Sequence, residues 1–156
     1  HDGMYEKIKT KEFIMKVKNC RKVLVFGIIA AAIISTLALT ASATDDSRGY
    51  YMILYGNYAN CYNDEIQYRQ TDSVENPWKV NLAYNSEGNN TIATFWLAKE
   101  NKTRVSTTHN VHQGSGDHYY RPYASANKTN VRLAVENNNN TNVSYYVSGT
   151  WDEETW

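Results

Sequence analysis

Cysteine, proline and phenylalanine are scarce in this 156-residue chain, with two, two and three residues respectively. Cys20 falls in a segment expected to be removed, which leaves Cys61 alone, so no internal disulfide can form. A lone thiol in an exported protein can join two chains as a disulfide-linked dimer; the plainer reading is a passive, half-buried residue. Neither sign of charge is in excess, since 16 Lys+Arg balance 16 Asp+Glu. The balance is uneven along the chain, however. Seven of the basic residues precede Val23, and from Thr44 onward nine Lys+Arg face 13 Asp+Glu, a net charge of −4. A domain so charged has no basic footprint overall, which argues against nucleic acid as its partner. Amphipathic helical periodicity is also missing from the stretch after Thr44.

What the chain does have begins with a three-part export signal. Lys16, Lys18, Arg21 and Lys22 form a charged start, and Val23 to Leu39 is an apolar run broken only by Gly27, Ser35 and Thr36. Ala41-Ser42-Ala43 then offers a small-x-small cleavage site with Thr44 as the new N-terminus. The competing reading is an uncleaved helical anchor, because a run of 17 residues reaches about 25 Å as a helix. The polar Thr44-Asp45-Asp46-Ser47 directly after the site favours cleavage. Three regions follow: residues 1–14 as an upstream extension ahead of the natural start at Met15, residues 15–43 as a helical signal peptide, and residues 44–156 as the mature domain. The product is expected to be secreted, meeting a membrane only through an uncleaved signal segment. Its 113 residues suffice to bury about two-thirds of the unfolded surface without covalent staples.

Thirteen Tyr and four Trp outnumber the three Phe. Rings with a polar handle suit half-buried sheet faces and wet binding surfaces. Period-two patterns recur along the mature domain. Tyr50 to Tyr55 is apolar on both faces, and Ile66 to Thr71 is a short strand with Ile66, Tyr68 and Gln70 on one side. Trp78, Val80, Leu82 and Tyr84 share one face of a strand. After the polar turn Asn85 to Asn90, Ala93, Phe95 and Leu97 oppose Ile92, Thr94 and Trp96. The pair is expected to form a β-hairpin at the heart of the domain. Thr103 to Thr107 reads as a strand and Asn110 to Asp117 as a loop. Pro122 places His118 to Tyr123 on an edge. Val131, Leu133 and Val135 point inward, and beyond the loop Asn137 to Asn140 the alternation from Val143 to Trp151 suggests a second hairpin. Seven or eight short strands without a helix predict an all-β, antiparallel β-sandwich.

Chemistry is harder to find. His109, His112 and His118, with Asp117 beside them, are the candidate zinc ligands by residue type, but loop residues without an H-E-x-x-H helix have no fixed geometry. Ser115 lies in G-S-G, not in a nucleophile elbow. Glu87, Asp117 and Asp152 to Glu154 are carboxylates in turns or the tail, where solvation is the ordinary state. No cofactor is implied, and the domain is expected to be non-enzymatic. The aromatic surplus is more informative. Trp96, Tyr119, Tyr120, Tyr123 and Trp151 are the candidates for a ligand surface, because exposed rings stack on sugars and fill interfaces.

Tyr68-Arg69-Gln70-Thr71, Asn76-Pro77-Trp78-Lys79-Val80-Asn81, Glu87-Gly88, Phe95-Trp96-Leu97-Ala98 and the ending Ser148-Gly149-Thr150-Trp151-Asp152-Glu153-Glu154-Thr155 resemble a family of small exported proteins of Gram-positive bacteria, the domain of unknown function 2712. The resemblance implies secretion and supplies no catalytic residue. A looser, architectural likeness links a short exported β-sandwich with a Trp end to the lactococcin 972 type bacteriocins. The function expected from all this is binding at or near the cell envelope, to wall glycan or an envelope protein. A bacteriocin-like toxin is the alternative, and a secreted hydrolase is a third reading.

Overall fold

The computed structural model describes residues 46–156, and the expected signal peptide with Ala41, Ala43 and Thr44 lies outside them. Among the described residues no helix is long and apolar enough to cross a membrane. Among the described residues nine strands are present: β1 (Arg48–Leu54), β2 (Cys61–Tyr62), β3 (Gln67–Arg69), β4 (Trp78–Asn85), β5 (Ile92–Lys99), β6 (His109–His112), β7 (Asp117–Tyr120), β8 (Thr129–Asn137) and β9 (Tyr145–Asp152). A 3₁₀ turn, Ala124–Ala126, precedes β8. The strands form two antiparallel sheets: a four-stranded one in the order β1-β9-β4-β7, and a five-stranded one in the order β2-β8-β5-β6 with β3 also paired to β8. The all-β sandwich expected from the alternation is therefore present, with nine strands instead of seven or eight. The added strands are β2 and β6, too short to show an alternation. Thr103 to Thr107 is not a strand and contributes only bridges at Arg104 and Ser106.

Neither expected hairpin forms. β4 lies in the four-stranded sheet and β5 in the five-stranded one, and β8 and β9 are divided in the same way. Each connection crosses from one sheet to the other. The alternation was satisfied because every one of these strands buries one face between the sheets. That shared core holds Trp78, Val80 and Leu82 from β4, Ala93, Phe95 and Leu97 from β5, Val131, Leu133 and Val135 from β8, and Val147 and Trp151 from β9. A ring of Phe size fully removed from water contributes about 1.5–3 kcal/mol, so these residues supply the main driving force. A bulge between Leu82 and Tyr84 inserts Ala83 into β4, which turns Tyr84 outward and Asn85 inward. Gly149 lies where β9 passes β4, and a Cβ there would meet the Asn81 carbonyl oxygen at 1.9 Å. No other residue fits without moving the strand.

Cys61 is 1% exposed in the shared core, its Sγ directed at the Ala59 carbonyl. A thiol so placed reaches a second chain only after local opening, so the fold gives the Cys61-linked dimer no exposed sulfur.

Candidate functional site

Of the five rings expected on a ligand surface, two are in cores. Trp151 is completely buried between the sheets. Trp96 is 1% exposed and forms a small second core with Ala98, Ala134 and the half-buried Tyr62 on the outer side of the five-stranded sheet. It meets Tyr62 edge-on at 6.3 Å and is covered by the Arg104 guanidinium at 4.9 Å. A strand apolar on both faces had two solutions for Trp96, cover or exposure, and the cover comes from a neighbouring cationic turn. Tyr120 is half-buried, stacked on His109 at 3.6 Å and beside Trp78 at 5.3 Å. Burial pushes its hydroxyl pKa up. Tyr119 and Tyr123 are exposed.

Tyr119 belongs to a larger arrangement. On β1 Tyr50, Met52 and Leu54 point into the core, so Tyr51 points out. On β9 Val147 and Trp151 point in, so Tyr146, Ser148 and Thr150 point out. The register aligns Tyr51 with Ser148 and Ser148 with Tyr84, and aligns Thr150 with Asn81 and Asn81 with Asp117. The outer face of the four-stranded sheet thus carries four exposed tyrosines, Tyr51, Tyr84, Tyr119 and Tyr146, among small polar side chains. Tyr51 and Tyr146 are stacked at 5.6 Å, and the Asn81 amide donates to Asp117 at 2.8 Å. Three of these tyrosines were not singled out in the sequence. Tyr50-Tyr51 and Tyr145-Tyr146 carried a signal, since adjacent strand residues must face opposite ways. Tyr84 carried none, because only the bulge turns it out.

The histidines do not converge. His109 is on β6 with its Nε2 at 2.8 Å from Thr107 Oγ1, and burial lowers its pKa. The His118 Nε2 lies 2.7 Å from Ser115 Oγ, whose proton can instead go to the His112 carbonyl. His118 stacks on the side of Tyr120 at 6.1 Å, and His112 is exposed. The three rings do not bring their nitrogens within 4.8 Å of one another. Asp117 faces Asn81 on the outer side of one sheet, whereas His109 packs against Tyr120 and Trp78.

The acidic ending is not solvated. Asp152, Glu153 and Glu154 are 1%, 6% and 2% exposed. The Glu154 carboxylate accepts the backbone N–H groups of Gln70 and Thr71, both at 2.8 Å. The completely buried Arg69 donates to the carbonyls of Glu153, Asn76 and Ser73. Asn76 closes the arrangement: its side chain donates to the Trp156 carbonyl and accepts the Thr155 N–H at 2.9 Å. Tail and 69–77 segment are thereby sewn together. Among the described residues Asp46, Asp152 and Glu153 form the one group offering three metal-ligand atoms within 4.8 Å. Arg48 already holds Asp46 at 2.7 Å, and Lys79 stands opposite Asp152 in the register, so side-chain cations meet much of this negative charge. Burial and the neighbouring carboxylates push the Glu153 pKa up to about 7.

The described residues thus form a two-layer antiparallel β-sandwich whose histidines and exposed tyrosines do not converge in one cleft between the sheets. Residues 34–155 match the family described as "Protein of unknown function (DUF2712)", and the chain belongs to that family. No curated protein and no solved structure matches it.

Proposed function

We propose that the protein is exported from a Gram-positive cell and acts without catalysis, binding glycan at the cell envelope through the outer face of its four-stranded sheet. One observation carries this reading: Tyr51, Tyr84, Tyr119 and Tyr146 are 57%, 51%, 54% and 45% exposed on a single sheet face. Rings that a core or a partner segment does not need are poor use of surface unless something stacks on them. Ser148, Thr150, Asn81 and Asp117 lie between them and suit hydroxyl groups, as a neutral sugar chain requires. Export rests on the charged start, apolar run and Ala41-Ser42-Ala43 of the sequence.

The test is co-sedimentation with purified peptidoglycan stripped of attached anionic polymers. The double variant Tyr51→Ala/Tyr84→Ala, folded by circular dichroism, should bind about tenfold more weakly, since each ring contact contributes about 0.5–1.5 kcal/mol. Unchanged binding would remove the face from the reading. Growth inhibition of related strains without glycan binding would move it to the bacteriocin-like alternative.

A further inference from the structure

The outer side of the five-stranded sheet differs in chemistry from the tyrosine face. Residues 46–156 contain nine Lys and Arg against 12 Asp and Glu, yet Lys102, Arg104 and Arg132 lie on this side and Lys99 and Lys128 border a cleft at the end of the sheet. Arg132 and Arg104 stand on either side of Ala98, one paired to it across β5 and β8, the other through a bridge. Arg104 lies over the Trp96 ring, and the Lys102 ammonium lies over the Tyr62 ring at 5.1 Å. Beyond them a cleft of about 550 Å³ is bounded by Tyr68, Lys99, Glu100, Asn101, Lys128, Thr129 and Asn130. The strands add one acid to this face, Glu136, and the turn after β5 adds Glu100. A domain that is acidic as a whole therefore carries a locally cationic side.

The patch is built, not a scatter of surface lysines. Lys102 and Lys128 both occupy the left-handed backbone region, with φ of 70° and 50°, which a side chain rarely adopts. Their turns are fixed by hydrogen bonds from Lys102 N–H to the Lys99 carbonyl at 2.8 Å and from Lys128 N–H to the Thr71 carbonyl at 3.2 Å. Two of the cations are already held over aromatic rings, so less side-chain freedom remains to be lost on binding.

We propose that this side binds a polyanion of the phosphodiester-linked polyol or sugar type, with Lys99 and Lys128 on one phosphate group and Lys102, Arg104 and Arg132 along the next repeats. Charge complementarity selects an anion, and five separate cations select a repeating one. The cleft selects the backbone between the charges. Asn101, Thr129 and Asn130 offer amide and hydroxyl groups for polyol hydroxyls, and the 49% exposed Tyr68 ring offers a flat edge. An anionic membrane fits less well, because Tyr68 is the one large hydrophobic that lines the cleft and a half-exposed tyrosine edge is a poor wedge. Single-stranded nucleic acid needs exposed rings as stacking platforms, and the rings of Trp96 and Tyr62 are beneath the cations. The inference is independent of the tyrosine face.

The test uses residues 44–156, which contain every residue of both cores. Binding of poly(glycerol phosphate) oligomers is measured by titration calorimetry at several salt concentrations, beside dextran, oligo(dT) and phosphatidylglycerol vesicles. Saturable, salt-weakened binding of the glycerol phosphate polymer is expected, tighter than for any of the three comparators. Lys99→Gln/Lys128→Gln should weaken it about tenfold or more, and Lys102→Gln should weaken it by a smaller factor. Arg121→Gln, 70% exposed in its side chain and paired to Glu75, should leave it unchanged, as should Tyr51→Ala/Tyr84→Ala. Three results would each overturn the proposal: no saturable binding, an equal or tighter affinity for oligo(dT) or the vesicles, or a loss in Arg121→Gln as large as in the double lysine variant.

Discussion

Replacing Arg69 by Met probes the clasp between the tail and the 69–77 segment most directly. Arg69 is completely buried on β3, and its guanidinium serves the Glu153, Asn76 and Ser73 carbonyls together with Asn127 Oδ1 at 3.4 Å. Burial lowers its pKa, while Glu154, Glu153 and Asp152 act in the opposite sense. A thioether of similar volume fills the space without supplying a donor. Three carbonyl acceptors then lose their partner, at about 1–3 kcal/mol for each group left unsatisfied. The nearby carboxylates lose a cation, and breaking one side of a buried charge arrangement alone costs about 3–5 kcal/mol. These two routes overlap, so the expected loss is about 3–5 kcal/mol and not their sum. Urea unfolding followed by tryptophan fluorescence measures it, with Arg121→Met as a surface control expected to cost about 1 kcal/mol or less. A loss below about 1 kcal/mol in Arg69→Met would show that water can replace the guanidinium, and that the tail is not clasped. Amide exchange of Thr155 and Trp156 supplies a second readout, because their N–H groups are held by Asn76 Oδ1 and should lose protection with the clasp.

Two further outcomes follow from buried groups. Glu153 keeps a proton in the folded chain up to about pH 7, against an ordinary value of 4.5. The folded state therefore binds more protons than the unfolded one between those values, and stability should fall as pH rises through that window. Glu153→Gln should flatten this part of the pH profile, with Asp46, Arg48, Arg69, Lys79, Asp152 and Glu154 still present; an unaltered slope would assign it to another of these groups. In the same urea assay Phe95→Ala and Trp96→Ala should cost similar amounts, about 3–5 kcal/mol each, because both rings are buried although they face opposite sides of β5. A loss of about 1 kcal/mol at Trp96 alone would mean that Arg104 and Tyr62 do not keep water from it.

Period two is enough to find the buried face of β8 and β9, and Val131, Leu133 and Val135 are legible for that reason. It says nothing of which strand lies alongside. In a sandwich a polar turn can return the chain to the same sheet or carry it to the facing one, and both choices bury the same alternate residues. The joins from β4 to β5 and from β8 to β9 are of the second kind. Tyr84 was assigned inward because one inserted residue, Ala83, reverses parity without any local mark in composition. The Asp152-Glu153-Glu154 run reads as solvated because charge normally means water, and nothing in the sequence marks Arg69 as its buried counterpart. Their partners lie up to 84 residues away, and a carbonyl cage has no signature in side-chain type.

That last point bears on what the family resemblance means physically. Segments that carry it, Tyr68 to Thr71, Asn76 to Asn81 and Ser148 to Thr155, are the ones the structure joins. Arg69 reaches the tail and Asn76 carbonyls, Asn76 holds the last two N–H groups, Glu154 caps Gln70 and Thr71, and Gly149 allows β9 to lie against Asn81. A motif of this kind specifies how the sandwich closes. Buried polar groups are costly unless every partner is in place, so such a clasp constrains many residues at once while touching no ligand. In the binding proposed above the contacts fall to the two outer faces, where a tyrosine or lysine can change without disturbing the core. Under the two proposals the specificity of this chain lies at Tyr51, Tyr84, Tyr119 and Tyr146 on one face and at Lys99, Lys102 and Lys128 on the other side.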